Sequence, residues 1–160
     1  MDPLALTAGA LREPWRLWTC HLVHFGWGHA LANAFALSVP LLLAHRQDRP
    51  RLLGMALLAA PLLSLLLLGT VGLGQYCGAS GLACVLWAWV GIRLACRRES
   101  TFIGFLMLGG LLLKLGAEAA LVGSFLIRPE GWQALPAAHL WGSLLGLAFA
   151  FPVWPRVSQA

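Results

Sequence analysis

Long apolar runs alternate with short polar connections along most of the chain. The runs fall at about residues 22–44, 52–73, 79–96, 102–127 and 135–153, and each is close to the roughly 20 apolar residues that a helix needs to cross a bilayer. The pattern predicts an all-α polytopic membrane protein with about five spans. No long linker, low-complexity segment or internal repeat interrupts it, so residues 1–160 read as one domain. The first 20 residues differ. Asp2, Arg12, Glu13, Pro14 and Arg16 are mixed with Trp15 and Trp18, and the apolar stretch Pro3–Leu11 is too short to span. Pro14 stops a helix, and tryptophans beside an arginine mark an interfacial segment. Residues 1–20 also lack the clean apolar core of a signal peptide.

Composition agrees with this pattern. Of 160 residues, 59% are hydrophobic and 11% charged, and mean hydropathy is +0.78, whereas a soluble domain is nearer a quarter charged. The net charge of +5 carries topology rather than nucleic-acid affinity, because the arginines sit between the apolar runs. With the N-terminus outside, Arg46, Arg49, Arg51, Arg93, Arg97, Arg98 and Arg156 are cytoplasmic, while Arg12, Arg16 and Arg128 are outside. This is the positive-inside bias.

The orientation brings the polar residues of three spans to one depth. His29 and Asn33 lie in the outer half of the first span, Ser80 in the first turn of the third, and His139 near the start of the fifth. Ser80 stands in Gly78-Ala79-Ser80-Gly81. A serine becomes a nucleophile when a base takes its proton, and histidine titrates in the right range. The flanking glycines remove bulk, and the unpaired N–H groups of a helix start suit an oxyanion. The same four residues also serve as an N-cap and packing motif. Ala138, Gly142, Gly146 and Ala150 recur every fourth residue behind His139, as do Ser80, Cys84 and Ala88 in the third span. Two such small faces can pack closely and bring Ser80 to His139.

His29 and Asn33 are four apart and share a helix face. They can donate to an oxyanion or act as interhelical polar glue. His24 either lines a water path or sits at the interface, and His21 and His45 read as interfacial. Lys114 and Glu118, also four apart and placed deeper in the fourth span, read as a structural ion pair facing the bundle interior, with recognition of a substrate's charge or tail as the alternative. Cys84 and Cys96 read as packing. Cys20 and Cys77 fall near one membrane face, which leaves a disulfide open. No metal spacing or cofactor motif is present.

Three ordered motifs resemble the rhomboid family of intramembrane serine proteases. They are Trp15-Arg16 followed by His24 and His29-x-x-x-Asn33; Gly78-Ala79-Ser80-Gly81; and Ala138-His139-Leu140-Trp141-Gly142 continuing to Gly146. The segment Pro14–His24, with Lys114-x-x-x-Glu118, looks like the rhombosortase branch. The resemblance implies a rhomboid-like helical bundle with Ser80 as nucleophile and His139 as base. It also implies an oxyanion and substrate-binding site of His29, Asn33, the Ser80 N–H and Gly78. The substrate would be the transmembrane segment of another protein, in rhombosortases a secreted protein's C-terminal anchor of Gly-Gly, an apolar helix and a basic end. The setting would be a bacterial inner membrane, with the site facing the periplasm and with no cofactor and no nucleic-acid partner. The family core has six spans, so the first is expected to be absent here or encoded upstream. A non-catalytic adaptor or chaperone that binds transmembrane helices is the alternative. A proton-relay transporter would spread its polar residues across the membrane, whereas these gather near one face.

Overall fold

The computed structural model describes residues 2–72, 74–120 and 135–151. After a short 3-10 turn at Ala10–Arg12 come α1 (Arg16–Thr19), α2 (Trp27–Leu43), α3 (Arg49–Thr70), α4 (Ser80–Ala95), α5 (Thr101–Ala120) and α6 (Pro136–Ala150). The described residues form an all-helical bundle. The parts of the fourth and fifth predicted spans at 121–127 and 152–153, with Arg128 and Arg156, lie outside them. α3 and α5 are long and apolar enough to cross a membrane, and α2 and α4 are shorter apolar helices.

α4 is the centre. Ala83–Leu86, Ala88–Gly91 and Leu94 are buried in it, packed against Leu52, Met55 and Ala59 of α3, Met107 of α5 and Ala150 of α6. At 16 residues its rise is about 24 Å, less than the ~30 Å of a hydrocarbon core. Its neighbours, rather than lipid, surround it. Outward-facing side chains such as Leu31, Phe35, Leu57, Phe102, Leu106 and Leu113 are exposed and form an apolar perimeter suited to acyl chains.

The small-residue ridge packs as the spacing predicts, and α4–α6 is the most extensive helix pairing. A Cβ on Gly142 would collide with the Gly81 carbonyl, and one on Gly146 with the Val85 carbonyl and Ala88. The two backbones therefore touch. Nearer the C-terminal end of α4, a Cβ on Gly104 of α5 would run into the Ala95 backbone and Gly91 carbonyl.

Among the described residues two helices contain an interior proline, and each is repaired in the same way. Proline has no N–H for the carbonyl four residues earlier, and in a membrane that carbonyl has no water to turn to. Pro40 in α2 orphans Ala36, whose oxygen accepts from Trp87 Nε1 of α4 at 2.7 Å. Pro61 in α3 orphans Leu57, whose oxygen accepts from Trp18 Nε1 at 3.1 Å. One bond fastens α2 to α4, and the other fastens the N-terminal segment to α3.

The N-terminal segment is folded rather than merely interfacial. Ala5, Leu6, Ala10, Leu17 and Cys20 are buried, and Leu6 exchanges backbone hydrogen bonds with Tyr76 at 2.9 and 3.0 Å. Arg16 donates to the Ala5 carbonyl at 2.8 Å and pairs with Glu13. Trp15 and Trp18 remain substantially exposed.

The first span begins at Trp27 rather than at residue 22, so His24 stands on a loop. Cys20 and His21 are pinned where the longer helix would have begun. The Cys20 carbonyl accepts the Gly78 N–H at 2.8 Å, and His21 Nε2 lies 3.1 Å from the Ala60 carbonyl and 3.2 Å from Ser64 Oγ. His21, expected at the interface, is 2% exposed. Cys20 and Cys77 are free thiols, and burial pushes the Cys77 thiol up to about 11.

Candidate active site

Gly78 sets up the turn into α4. Its φ of +117° lies where an L side chain is strained. A Cβ there would also stand 2.5 Å from His29 Cε1 and 3.4 Å from Asn33 Nδ2. Its carbonyl accepts from the Tyr76 hydroxyl at 3.0 Å. Tyr76 and His21 pack edge to face, with ring centres 5.9 Å apart. Ala79 is the N-cap, and Ser80 is the first residue of α4. The serine is half-buried at the head of the helix, where the first N–H groups have no intrahelical partner.

Ser80 Oγ is 2.9 Å from His139 Nε2. His139 sits in the first turn of α6, 5% exposed, above the ridge that packs on α4. Its other ring nitrogen, Nδ1, is 2.8 Å from Glu118 Oε2 and 3.1 Å from Lys114 Nζ. Lys114 pairs with the second oxygen of Glu118, Oε1. The expected Lys114–Glu118 pair therefore forms, but not at a separate, deeper level. It adjoins His139, and the polar chain runs Ser80, His139, Glu118, Lys114.

α2 supplies the opposite wall. Asn33 is 4% exposed, and its Nδ2 has no hydrogen-bond partner among the described residues. An orphan donor of this kind costs about 1–3 kcal/mol. His29 lies one turn earlier, against Gly78, stacked with Phe25 at 5.7 Å between ring centres and edge-on to His24 at 5.1 Å. His24 Nδ1 is 3.1 Å from the Leu22 carbonyl. A largely apolar cavity of about 350 Å³ extends from His24, Asn33 and Ala79 between α2 and α3 towards Leu41 and Leu53.

The structure thus brings Ser80, His139, His29, Asn33 and Gly78 together, with His24 beside them. One expected contribution changes. The N–H of Gly78 is already donated to the Cys20 carbonyl, so Gly78 is a bulk-free wall rather than an oxyanion donor. Two contacts were not expected from sequence. His21 had a signal in Ser64, a hydroxyl in an otherwise apolar run, whose Oγ meets both His21 and the Leu17 carbonyl. Glu118 had none beyond its i, i+4 lysine, because a contact between α5 and α6 depends on how the two helices are rotated.

A membrane-type helical bundle with a serine at the head of its central helix, α4, facing a histidine in the first turn of α6, fits the class of intramembrane serine-protease folds. Within that class, the family model of the Rhomboid domain matches residues 11–156. The chain belongs to the rhomboid family, whose members are serine intramembrane proteases acting on transmembrane substrate segments. No curated protein matches the chain.

Proposed function

We propose that this chain is an intramembrane serine endopeptidase, with Ser80 as nucleophile and His139 as general base. It cleaves a peptide bond in or beside a substrate's transmembrane segment. The observation that carries the reading is the 2.9 Å contact between Ser80 Oγ and His139 Nε2. The contact occurs at a helix head that also faces the buried, unpartnered amide of Asn33.

His139 accepts the Ser80 proton as Oγ attacks the scissile carbonyl. The oxygen gathers charge against the N–H groups at the start of α4, Asn33 Nδ2 and His29, the kind of fixed donors that stabilise a tetrahedral intermediate. His139 then returns the proton to the leaving amine, and water completes hydrolysis of the acyl-enzyme. A substrate carbonyl inside a helix is already hydrogen-bonded, so the cleaved segment must unwind locally, and glycine makes that easiest. The cavity beside Asn33 supports access for an apolar segment along α2. His24, on its loop at the cavity mouth, lines the path for water.

The Pro14–His24 segment and the Lys114–Glu118 pair favour the rhombosortase branch and hence Gly-Gly tails of secreted proteins. The same resemblance favours the bacterial inner membrane, the apolar runs favour five spans in residues 1–160, and the arginine distribution favours a site towards the periplasm. The test is labelling by a fluorophosphonate in membranes. The wild type should label, and Ser80→Ala and His139→Ala should not. Equal labelling of all three would sink the assignment. A reporter ending in Gly-Gly, an apolar helix and a basic tail tests the branch separately. An enzyme that labels but leaves this reporter intact is not a rhombosortase.

A further inference from the structure

Two hydrogen bonds compete for one nitrogen of His139. In a neutral imidazole Nδ1 carries either a proton or a lone pair. It cannot donate to Glu118 at 2.8 Å and also accept from the Lys114 ammonium at 3.1 Å. The choice fixes the other end of the ring. With the proton on Nδ1, Nε2 has a lone pair aimed at Ser80 Oγ, 2.9 Å away, and can take the serine proton. With Lys114 donating to Nδ1, the proton sits on Nε2, and the ring faces Ser80 as a donor that cannot activate it.

The geometry points to Glu118 as a positioning residue that holds His139 in the base-competent tautomer, making the site a Ser–His–Glu relay rather than a dyad. This rests on the Ser80–His139 reading. The carboxylate is divided between its two neighbours. Oε2 faces the imidazole, while Oε1 takes the Lys114 ammonium. Lys114 is held by the Glu118 carboxylate, and its contact with Nδ1, at 3.1 Å, is longer than that of Glu118, at 2.8 Å. Its side chain is 41% exposed, whereas those of Glu118 and His139 are 16% and 7% exposed. The buried contact is therefore the one between carboxylate and imidazole.

The proton balance follows. As Ser80 Oγ bonds to the carbonyl carbon, its proton moves to Nε2 and the carbonyl π pair moves onto the oxygen. The imidazolium now has two N–H bonds, and the one on Nδ1 stays in place, donated to Glu118 throughout. When the carbonyl re-forms and the C–N bond breaks, the Nε2 proton leaves with the amine, and the ring returns to the starting tautomer. Glu118 itself gains no proton, which is the orienting role of the acidic member in hydrolytic triads.

The test uses the full chain in phospholipid nanodiscs and two readouts. The first is the second-order rate of fluorophosphonate labelling. The second is the ¹⁵N spectrum of histidine-labelled protein, with the His139 signals found by subtracting a His139→Gln spectrum. In the wild type the His139 signals should be those of an Nδ1–H ring. Glu118→Gln should slow labelling by up to about 10⁴, the drop that follows when a triad's orienting carboxylate becomes an amide, and should populate the Nε2–H tautomer. Glu118→Asp keeps the charge and should recover part of the rate. Lys114→Met removes the competing donor and should cost much less than Glu118→Gln. Wild-type labelling in Glu118→Gln overturns the proposal, as do equal losses in Glu118→Gln and Lys114→Met with an unchanged tautomer, which would mark a purely structural pair. If Ser80→Ala labels like wild type, the underlying nucleophile assignment fails instead.

Discussion

Asn33 shows how a single side chain can be held against stability. Its Nδ2 is buried and unpartnered, yet a hydrocarbon side chain there would remove the desolvation penalty. Asn33→Ala is therefore expected to unfold no earlier than wild type in a thermal scan in detergent. Its labelling and peptide cleavage should fall by about 10²–10³, the usual cost of losing one oxyanion donor. A parallel loss of stability and activity would mean that the amide is structural glue after all. Gly78 works on the same wall in the opposite way. Gly78→Ala meets both the strain of a positive φ and a Cβ 2.5 Å from His29, so it should displace that ring and lower both stability and turnover. The depth argument made this group legible in sequence. The arginine pattern predicts an orientation that puts His29, Asn33, Ser80 and His139 at one depth, and the structure gathers these four residues at one end of the bundle. The same argument missed His21, because nothing in the local sequence says that the chain before α2 folds inward onto Ala60 and Ser64.

At the scale of the helices, the proline–tryptophan pairings are the most direct link between sequence and packing. The structure gives α2 contact mainly with α4, and Trp87 Nε1 to the Ala36 carbonyl is a directed bond across that seam. Trp87→Phe keeps most of the ring's packing but leaves the carbonyl orphaned. It should cost about 1–3 kcal/mol in thermal or denaturant unfolding. Pro40→Ala restores a backbone N–H to the same carbonyl, so the double variant should recover most of the loss. A double-mutant cycle measures this coupling. Additive effects would show that Trp87 stabilises by bulk alone. The small-residue ridge was readable because a four-residue period fixes one face of one helix. The partner of Glu118 was not readable, because a pattern within α5 says which residues share a face but not which helix that face meets.

Across the whole molecule, the two ends of the bundle carry different polar clusters. The Ser80 end holds the candidate site. The other end is closed by Asp48, 2% exposed, which lies just before α3 and binds Arg93 at 3.1 Å and Arg97 at 3.0 Å from the C-terminal end of α4. In sequence these residues counted only as topology signals, since loops give charge but not contact. In the structure they fasten the starting end of α3 to the exit of the central helix, and so hold α4, with Ser80 at its far end, in register with its neighbours. Asp48→Asn removes the charge that compensates two largely buried guanidinium groups, and breaking a buried pair of this kind costs about 3–5 kcal/mol. Arg51 reaches Asp48 at 3.6 Å from an exposed position, so Arg51→Ala should change stability by less than about 1 kcal/mol. α4 puts about 24 Å between the clusters. Asp48→Asn should therefore unfold at a markedly lower temperature, yet label with fluorophosphonate at close to the wild-type rate well below that temperature. Slowed labelling in the folded variant would mean instead that the Asp48 cluster tunes the position of Ser80 through the length of α4.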